Sequence, residues 1–292
     1  MPVRRNNASR DPGAAPAVPS APARGPRIAG IVNVTADSFS DGGRHLDPDA
    51  AVARARELVA AGADLIDLGA ASSRPGATPV PAEDEVRRLV PVVERLLADG
   101  IVVSIDTFQP ETQRWAIAQG VAFLNDIQGF PHPEVHRELA RADCRLVLMH
   151  SVQRLGPATR VATDTERVVD GIDDFFAARI AELERAGVAR DRIVLDLGMG
   201  FFLGRQPEVS VEVLRRLGHW RERFGLPIWI CVSRKSFLGQ LTGKKVPERG
   251  AATLASEIFA ACRGADYIRT HDVAALRDAL VMWNALAGGA VD

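Results

Sequence analysis

The sequence predicts α/β class, a single (β/α)8 TIM barrel preceded by a disordered N-terminal tail. Three observations carry this. From Arg27 onward, eight short β-rich runs alternate with longer helical stretches, the pattern of parallel sheet built from βαβ units. Eight units in about 265 residues match the size of a closed barrel. Almost every β-rich run also ends in a side chain that ionises or hydrogen-bonds, which is where barrel enzymes keep their chemistry. An open doubly wound sheet is the alternative. It would usually carry a Gly-rich fingerprint after its first strand, but that strand ends IVNVTADSF, with no GxGxxG or GxxxxGK[ST].

The elements follow in order. Residues 1–26 form the tail and residues 27–290 the barrel. The tail holds six of the 18 prolines, and together with Arg27 it sets five arginines against one acid, Asp11. It has almost nothing large and apolar, so burial cannot offset the entropy of ordering it. It lacks the apolar h-region of a secretory signal. A basic targeting or docking arm is the competing reading. The expected strands are 28–33, 64–69, 101–107, 122–127, 145–150, 193–198, 227–233 and 266–271. The expected helices lie near 48–61, 82–98, 110–119, 133–142, 164–187, 208–223, 249–263 and 272–287. Pro48, Pro110 and Pro133 sit at or near helix starts, where a missing N–H costs little. Gly62, Gly100, Gly120, Gly187 and Gly225 follow helix ends, where φ is often positive.

Composition excludes several functions. Lys+Arg is 36 and Asp+Glu 37, a formal charge of −1. No global field draws such a chain to nucleic acid or to an acidic membrane. Removing those five arginines and Asp11 leaves −5 for residues 28–292, so an anionic substrate must be attracted by a local pocket. No apolar run is long enough to span a membrane. Cys144, Cys231 and Cys262 are scattered in apolar runs and read as small buried hydrophobes in a reducing compartment, hence a cytoplasmic location.

The strand ends, in order, are Asn33, Asp67, Asp106, Asn125–Asp126, His150, Asp196, Ser233–Arg234–Lys235 and Arg269–His271. Each alone has a plain reading as a turn former or helix cap, and Asp67, Asp126 and His150 carry it most strongly. Together they read as one polar site. Asp106, Asn125 and Asp196 offer acceptors suited to a flat heterocycle with several N–H groups. Arg74, Lys235, Arg269 and His271 suit a phosphate or carboxylate, which Arg grips bidentately. Loop 33–43 is long and polar. Loop 70–79 sets Arg74 among small residues on a flexible arm.

These motifs resemble the dihydropteroate synthases. GIVNVTADSFSDGG (30–43) is similar to their first signature and DLGAASSRPG (67–76) to their second. SIDT (104–107), LND (124–126), LMH (148–150), LDLGMGF (195–201), SRKSFLG (233–239) and IRTHD (268–272) extend the match over about residues 27–288. The resemblance implies condensation of 6-hydroxymethyl-7,8-dihydropterin diphosphate with p-aminobenzoate, giving 7,8-dihydropteroate and diphosphate in folate synthesis. It implies a pterin pocket of Asp106, Asn125, Asp196 and Lys235, and diphosphate binding by Asn33, Arg74, Arg269 and His271. It places p-aminobenzoate against Ser73, Arg74, Lys235 and Ser236, makes Asn33 the ligand of a Mg2+, and gives Asp106, Lys235 and Arg269 the catalytic roles. It also implies a homodimer, formed through helices such as 249–263 and 272–287. A pterin-binding methyltransferase and a non-catalytic pterin-binding paralogue are the alternatives. A methyltransferase has no need of the cationic cluster, and a silent paralogue has no need to keep it whole.

The chain departs from the family pattern at Ala36, Ala70–Ala71, Ser73, Leu197 and the run Gly-Phe-Phe-Leu at 200–203. Several departures, with FQPETQRW (108–115) and DCRLVLMHSVQR (143–154), resemble the sulfonamide-insensitive synthases. A sulfonamide carries an N-substituent where p-aminobenzoate has a compact carboxylate, so one bulky side chain can exclude the drug and spare the substrate. A 100-fold discrimination needs only about 2.7 kcal/mol. Phe202 and Phe237 are the candidates for that side chain, with core packing as the plainer reading of each.

Overall fold

Eight parallel strands close into one barrel in strict sequence order. The computed structural model describes residues 25–35 and 47–287. Nearly all of the expected tail, most of loop 33–43 and the last residues of the barrel domain therefore lie outside the described residues. The strands are β1 (Arg27–Asn33), β2 (Leu65–Gly69), β3 (Val103–Asp106), β4 (Phe123–Asp126), β5 (Arg145–Met149), β6 (Ile193–Asp196), β7 (Ile228–Ile230) and β8 (Tyr267–Thr270). Arg27 opens β1 and is buried, its guanidinium over the Tyr267 ring, so this arginine belongs to the barrel and not to the tail.

Side chains alternate between barrel interior and helix-facing shell, as the two-residue period of a strand dictates. Ile28, Val32, Ile66, Leu68, Ile105, Leu124, Leu146, Leu148, Ile193, Leu195 and Ile268 pack in the outer core. Ala29, Leu65, Phe123, Val147, Val194, Trp229 and Tyr267 form a separate apolar plug at the N-terminal end of the interior. Phe123 contacts both Trp229 and Tyr267 ring to ring. Two residues further along each strand the interior turns polar: Asp67 follows Leu65, Asn125 follows Phe123, Asp196 follows Val194 and Arg269 follows Tyr267. The plug closes the bottom and leaves the C-terminal end to the polar residues.

The helices are α1 (Pro48–Ala60), α2 (Ala82–Ala98), α3 (Pro110–Ala118), α4 (Pro133–Arg141), α5 (Thr165–Arg185), α6 (Pro207–Arg215), α7 (Leu217–Phe224), α8 (Ser236–Thr242), α9 (Gly250–Cys262) and α10 (Val273–Leu286). Pro48, Pro110 and Pro133 each occupy the first turn, as predicted. The five predicted glycines all have positive φ. Two expectations are corrected. The single helix 208–223 is two, broken at Arg216 (φ −91°, ψ 7°). The short α8 was hidden within the SRKSFLG motif. Cys262 is exposed, unlike Cys144 and Cys231, because it ends α9 on the solvent side. Among the described residues no helix is long and apolar enough to cross a membrane.

Candidate functional site

At the C-terminal end of the barrel lies a cavity of about 500 Å3. Eight of the ten sequence-predicted residues line it: Asn33, Ser73, Arg74, Asp106, Lys235, Ser236, Arg269 and His271. The other two, Asn125 and Asp196, lie at the ends of β4 and β6, are buried, and do not line it. Asn125 is the register partner of Asp106, and its Oδ1 is buried with no described hydrogen-bond partner. Asp196 accepts the Gly198 N–H at 2.8 Å and faces the charges of Lys235 and Arg269.

Arg269 holds the floor together. Its Nε donates to Asp67 and its Nη2 donates to Asp106 Oδ2 at 2.8 Å. Asp67 also accepts the Ser104 hydroxyl at 2.5 Å. Parity explains the meeting: 67, 104, 106 and 269 all lie on interior positions of β2, β3 and β8. Burial pushes the Asp106 carboxyl up to about 7, against the pull of Arg269 and Lys235 and with the help of the Asp67 charge. Burial likewise raises Asp196 to about 6, opposed first by Lys235. Both carboxyls gain from N–H donors or cations, which favour their charged forms.

The cationic rim is built differently. Lys235 precedes α8, and its ammonium lies over the Phe202 ring, 4.7 Å from the centroid. Arg234 takes a left-handed backbone (φ 57°), which costs a non-glycine residue strain. Arg249 stabilises the turn by donating to the Arg234 carbonyl at 2.9 Å, and Thr253 Oγ1 accepts the Arg234 N–H at 3.1 Å. No described carboxylate pairs with Arg74. The Ser73 carbonyl accepts the Ala158 N–H at 3.0 Å, tying the loop after β2 to the loop after β5 across the mouth. Ala158 packs there with Ile127, Met149 and Phe202.

His271 is neutral. Burial lowers it to about 3, reinforced by Arg234, Arg269, Arg74 and Lys235. Its Nδ1 lies 2.9 Å from Ser233 Oγ. An anion at this position therefore meets an uncharged imidazole and not a further cation.

Not every polar strand end joins the site. Asp126 is fully buried and folds its own loop, accepting the N–H groups of Gln128 (2.7 Å) and Phe130 (3.0 Å) and the Gln113 amide (2.9 Å). His150 is buried and does not line the cavity. The turn-forming reading thus holds for Asp126, and the expectation of one continuous polar set is corrected. Phe202 lines the cavity, whereas Phe237 is buried in the outer core and does not. The sequence reading passed over Cys231, Phe201, Arg160 and Arg249, which also line it. Parity with Trp229 and Ser233 could have found Cys231. Nothing local in the sequence marks Arg249.

The chain matches the pterin-binding enzymes over residues 29–271. The chain belongs to that family. It is 56% identical over 260 residues to a type-3 dihydropteroate synthase of Escherichia coli, covering 89% of this chain and 99% of that relative. A Xanthomonas albilineans dihydropteroate synthase solved with 4-aminobenzoic acid superposes with a TM-score of 0.82 at 42% identity, covering 91% of this chain and 94% of the other. The same organism's enzyme in complex with 7,8-dihydropteroate gives a TM-score of 0.78 at 40% identity, covering 91% and 95%.

Proposed function

We infer that the chain is a transferase of folate synthesis, condensing 6-hydroxymethyl-7,8-dihydropterin diphosphate with p-aminobenzoate to 7,8-dihydropteroate and diphosphate. One observation carries the assignment of roles: the Asp106 carboxyl at the cavity floor and the cations Arg74, Arg234, Lys235 and Arg269 line a single space. A substrate joining an N–H-rich ring to a diphosphate fits that polarity end for end. The ring takes Asp106, the nearby Asp196 and Lys235. The orphaned Asn125 Oδ1 is an acceptor that a ring N–H satisfies. The diphosphate takes Arg74, Arg269 and neutral His271. Ser73, Arg74, Lys235 and Ser236 hold p-aminobenzoate.

In the reaction the arylamine nitrogen forms a bond to the pterin methylene carbon as the C–O bond to diphosphate breaks. The amine proton leaves to solvent or diphosphate. Positive charge develops on the methylene and pterin, and the Asp106 and Asp196 carboxylates stabilise it. The rim cations stabilise the leaving diphosphate. No residue is needed as a covalent nucleophile. Asn33, at the end of β1 and lining the cavity, offers one neutral oxygen, and among the described residues no cluster of three His, Cys, Asp or Glu could cage a metal. That donor set fits a Mg2+ bound mainly through substrate phosphates and water. When bound, Mg2+ supplies Lewis-acid neutralisation of the diphosphate.

The test is an assay of diphosphate release with and without p-aminobenzoate. Release that needs p-aminobenzoate and yields dihydropteroate is expected; release without it, or none, overturns the reading. Asp196→Asn is expected to lower kcat/KM by about 10- to 100-fold, since a hydrogen bond to a charged group is worth about 1.5–3 kcal/mol. Lys235→Ala is expected to weaken both pockets. A loss confined to diphosphate affinity would contradict its place between Asp106, Asp196 and Phe202.

Sulfonamide insensitivity is carried by Phe202, whose ring shares the cavity with Lys235 and Ser236. Phe202→Ala is expected to lower the drug's inhibition constant at least about tenfold, or about 1.4 kcal/mol, with little change in KM for p-aminobenzoate. An unchanged inhibition constant removes Phe202 from this role. Phe237→Ala is expected to destabilise the fold without altering drug selectivity.

A homodimer is the proposed assembly. Val281, Met282, Trp283 and Leu286 on α10 and Phe259 on α9 are exposed, Leu286 by 81%. Large exposed apolar side chains on two helices that pack together are what a subunit interface covers. Light scattering reading a single-chain mass would exclude it. A cytoplasmic location is proposed on the unpaired cysteines.

A further inference from the structure

Behind His271 runs a chain of hydroxyls that ends on a buried carboxyl with no part in the reaction above. Ser233 Oγ lies 2.9 Å from His271 Nδ1, and the Thr270 hydroxyl donates to Ser233 Oγ at 3.4 Å. The Glu257 carboxyl, from α9, faces Thr270, whose hydroxyl favours its charged form. Glu257 is 1% exposed, and its Oε1 has no described partner. A buried acidic side chain without a cation is an unfavourable arrangement for packing alone.

We propose that Glu257, acting through Thr270 and Ser233, is a positioning residue that fixes the tautomer of His271 and makes anion binding at the rim sensitive to pH. The proposal rests on the diphosphate role given to His271. With Glu257 protonated, its O–H donates to Thr270, Thr270 donates to Ser233, and Ser233 donates to His271 Nδ1. The ring proton then sits on Nε2, available to a phosphate oxygen. When Glu257 ionises, the donors turn round. Thr270 donates to the carboxylate, Ser233 to Thr270, and His271 Nδ1–H to Ser233. The ring proton has moved from Nε2 to Nδ1, one proton has left in total, and Nε2 presents a lone pair to the anion.

The surroundings set where this happens. Burial pushes Glu257 up to about 8 against the pull of the Thr270 hydroxyl, and Asp272, which caps α10, pushes in the same direction as burial. α9 packs against α8 and α10. α8 carries no charged residue. On α10, Arg277 is turned to Asp64 and the Gly62 carbonyl, and Asp278 adds a further negative charge. Arg249, before α9, is engaged with the carbonyls of Arg234 and Lys235, and Arg263, after it, lies over Phe259. The groups facing His271 are Arg234, Arg269, Arg74 and Lys235, all of which keep the ring neutral.

The experiment is nitrogen NMR of His271 in the full chain across pH, alongside calorimetry of inorganic diphosphate with Mg2+. The wild type is expected to hold its proton on Nε2 at neutral pH and to move it to Nδ1 above about pH 8. Diphosphate affinity is expected to fall about tenfold more steeply over that range in the wild type than in Glu257→Gln, the scale of one lost charge-assisted hydrogen bond. Glu257→Gln keeps a permanent N–H donor toward Thr270, so its tautomer is expected to stay on Nε2 throughout. Thr270→Val is expected to uncouple the tautomer from Glu257. A wild-type proton on Nδ1 at neutral pH, or a Glu257→Gln variant with the wild-type pH profile, overturns the proposal. If no dihydropteroate forms but the tautomer follows Glu257, the functional reading fails and this one stands.

Discussion

Asp67→Ala is expected to cost about 3–5 kcal/mol of folding stability, the range for breaking a buried ion pair by removing one partner. Asp67 is fully buried and accepts from Ser104 and from Arg269 Nε. Without it, Arg269 keeps only Asp106 as an ionic partner among the described residues, and the Ser104 hydroxyl loses its acceptor inside the barrel. Arg269 then has no fixed direction, so dihydropteroate formation is expected to be lost even where the fold persists. Urea unfolding of the wild type and the variant measures the first effect. A change in unfolding free energy below about 1 kcal/mol, within the ordinary range for point substitutions, contradicts the clamp. The double variant Asp67→Leu with Arg269→Met separates the two effects. Apolar replacement of a whole buried pair is often neutral or stabilising. Because Arg269→Met also takes the Nη2 donor from Asp106, the double variant is expected to recover part of the stability and remain inactive. A double variant no more stable than Asp67→Ala would mean that the cost does not come from the unpaired Arg269 charge.

The same pair marks how far the sequence could be read. Strand positions were legible because each run is short, β-rich and followed by a polar residue, and most observed limits differ by only a residue or two. The floor of the site was also legible at Asp106 and Arg269, because parity puts strand-end residues on the interior. Depth was not. Asp67, Asp126 and Asp196 all look alike as an acid at a strand end. One clamps an arginine, one folds the loop after β4, and one accepts a glycine N–H below the cavity. What distinguishes them is the partner supplied from elsewhere in the chain, 202 residues away for Arg269 and Asp67. The break at Arg216 was hidden for a related reason. Leu214 and Leu217 are both buried, so the apolar spacing continues across two helices as if there were one. Arg249 was invisible because its work is done through backbone carbonyls, which leave no pattern in side-chain identity.

Gly198→Ala is expected to damage stability and pterin affinity together. Gly198 has φ 71°, and a Cβ built there would lie far inside van der Waals contact of the His150 carbonyl oxygen. The left-handed backbone alone costs a non-glycine residue about 1–3 kcal/mol. The contact adds to this, because the obstacle is backbone and cannot swing aside. That carbonyl belongs to the junction where β5 leaves the barrel, and the His150 N–H is itself bonded to the Asp196 carbonyl at 2.8 Å. Relieving the contact therefore means moving the end of β6 away from the end of β5. Gly198 also donates its N–H to Asp196 Oδ1, so the carboxylate proposed to face the pterin loses its anchor in the same movement. Thermal unfolding and the dissociation constant for the pterin substrate are the two readouts. Both are expected to worsen in Gly198→Ala. Asp196→Asn, which leaves the backbone in place, is expected to worsen chiefly the second. A Gly198→Ala protein with wild-type melting and wild-type pterin affinity would show that the β5–β6 junction yields without disturbing Asp196, and would remove the anchoring role from Gly198.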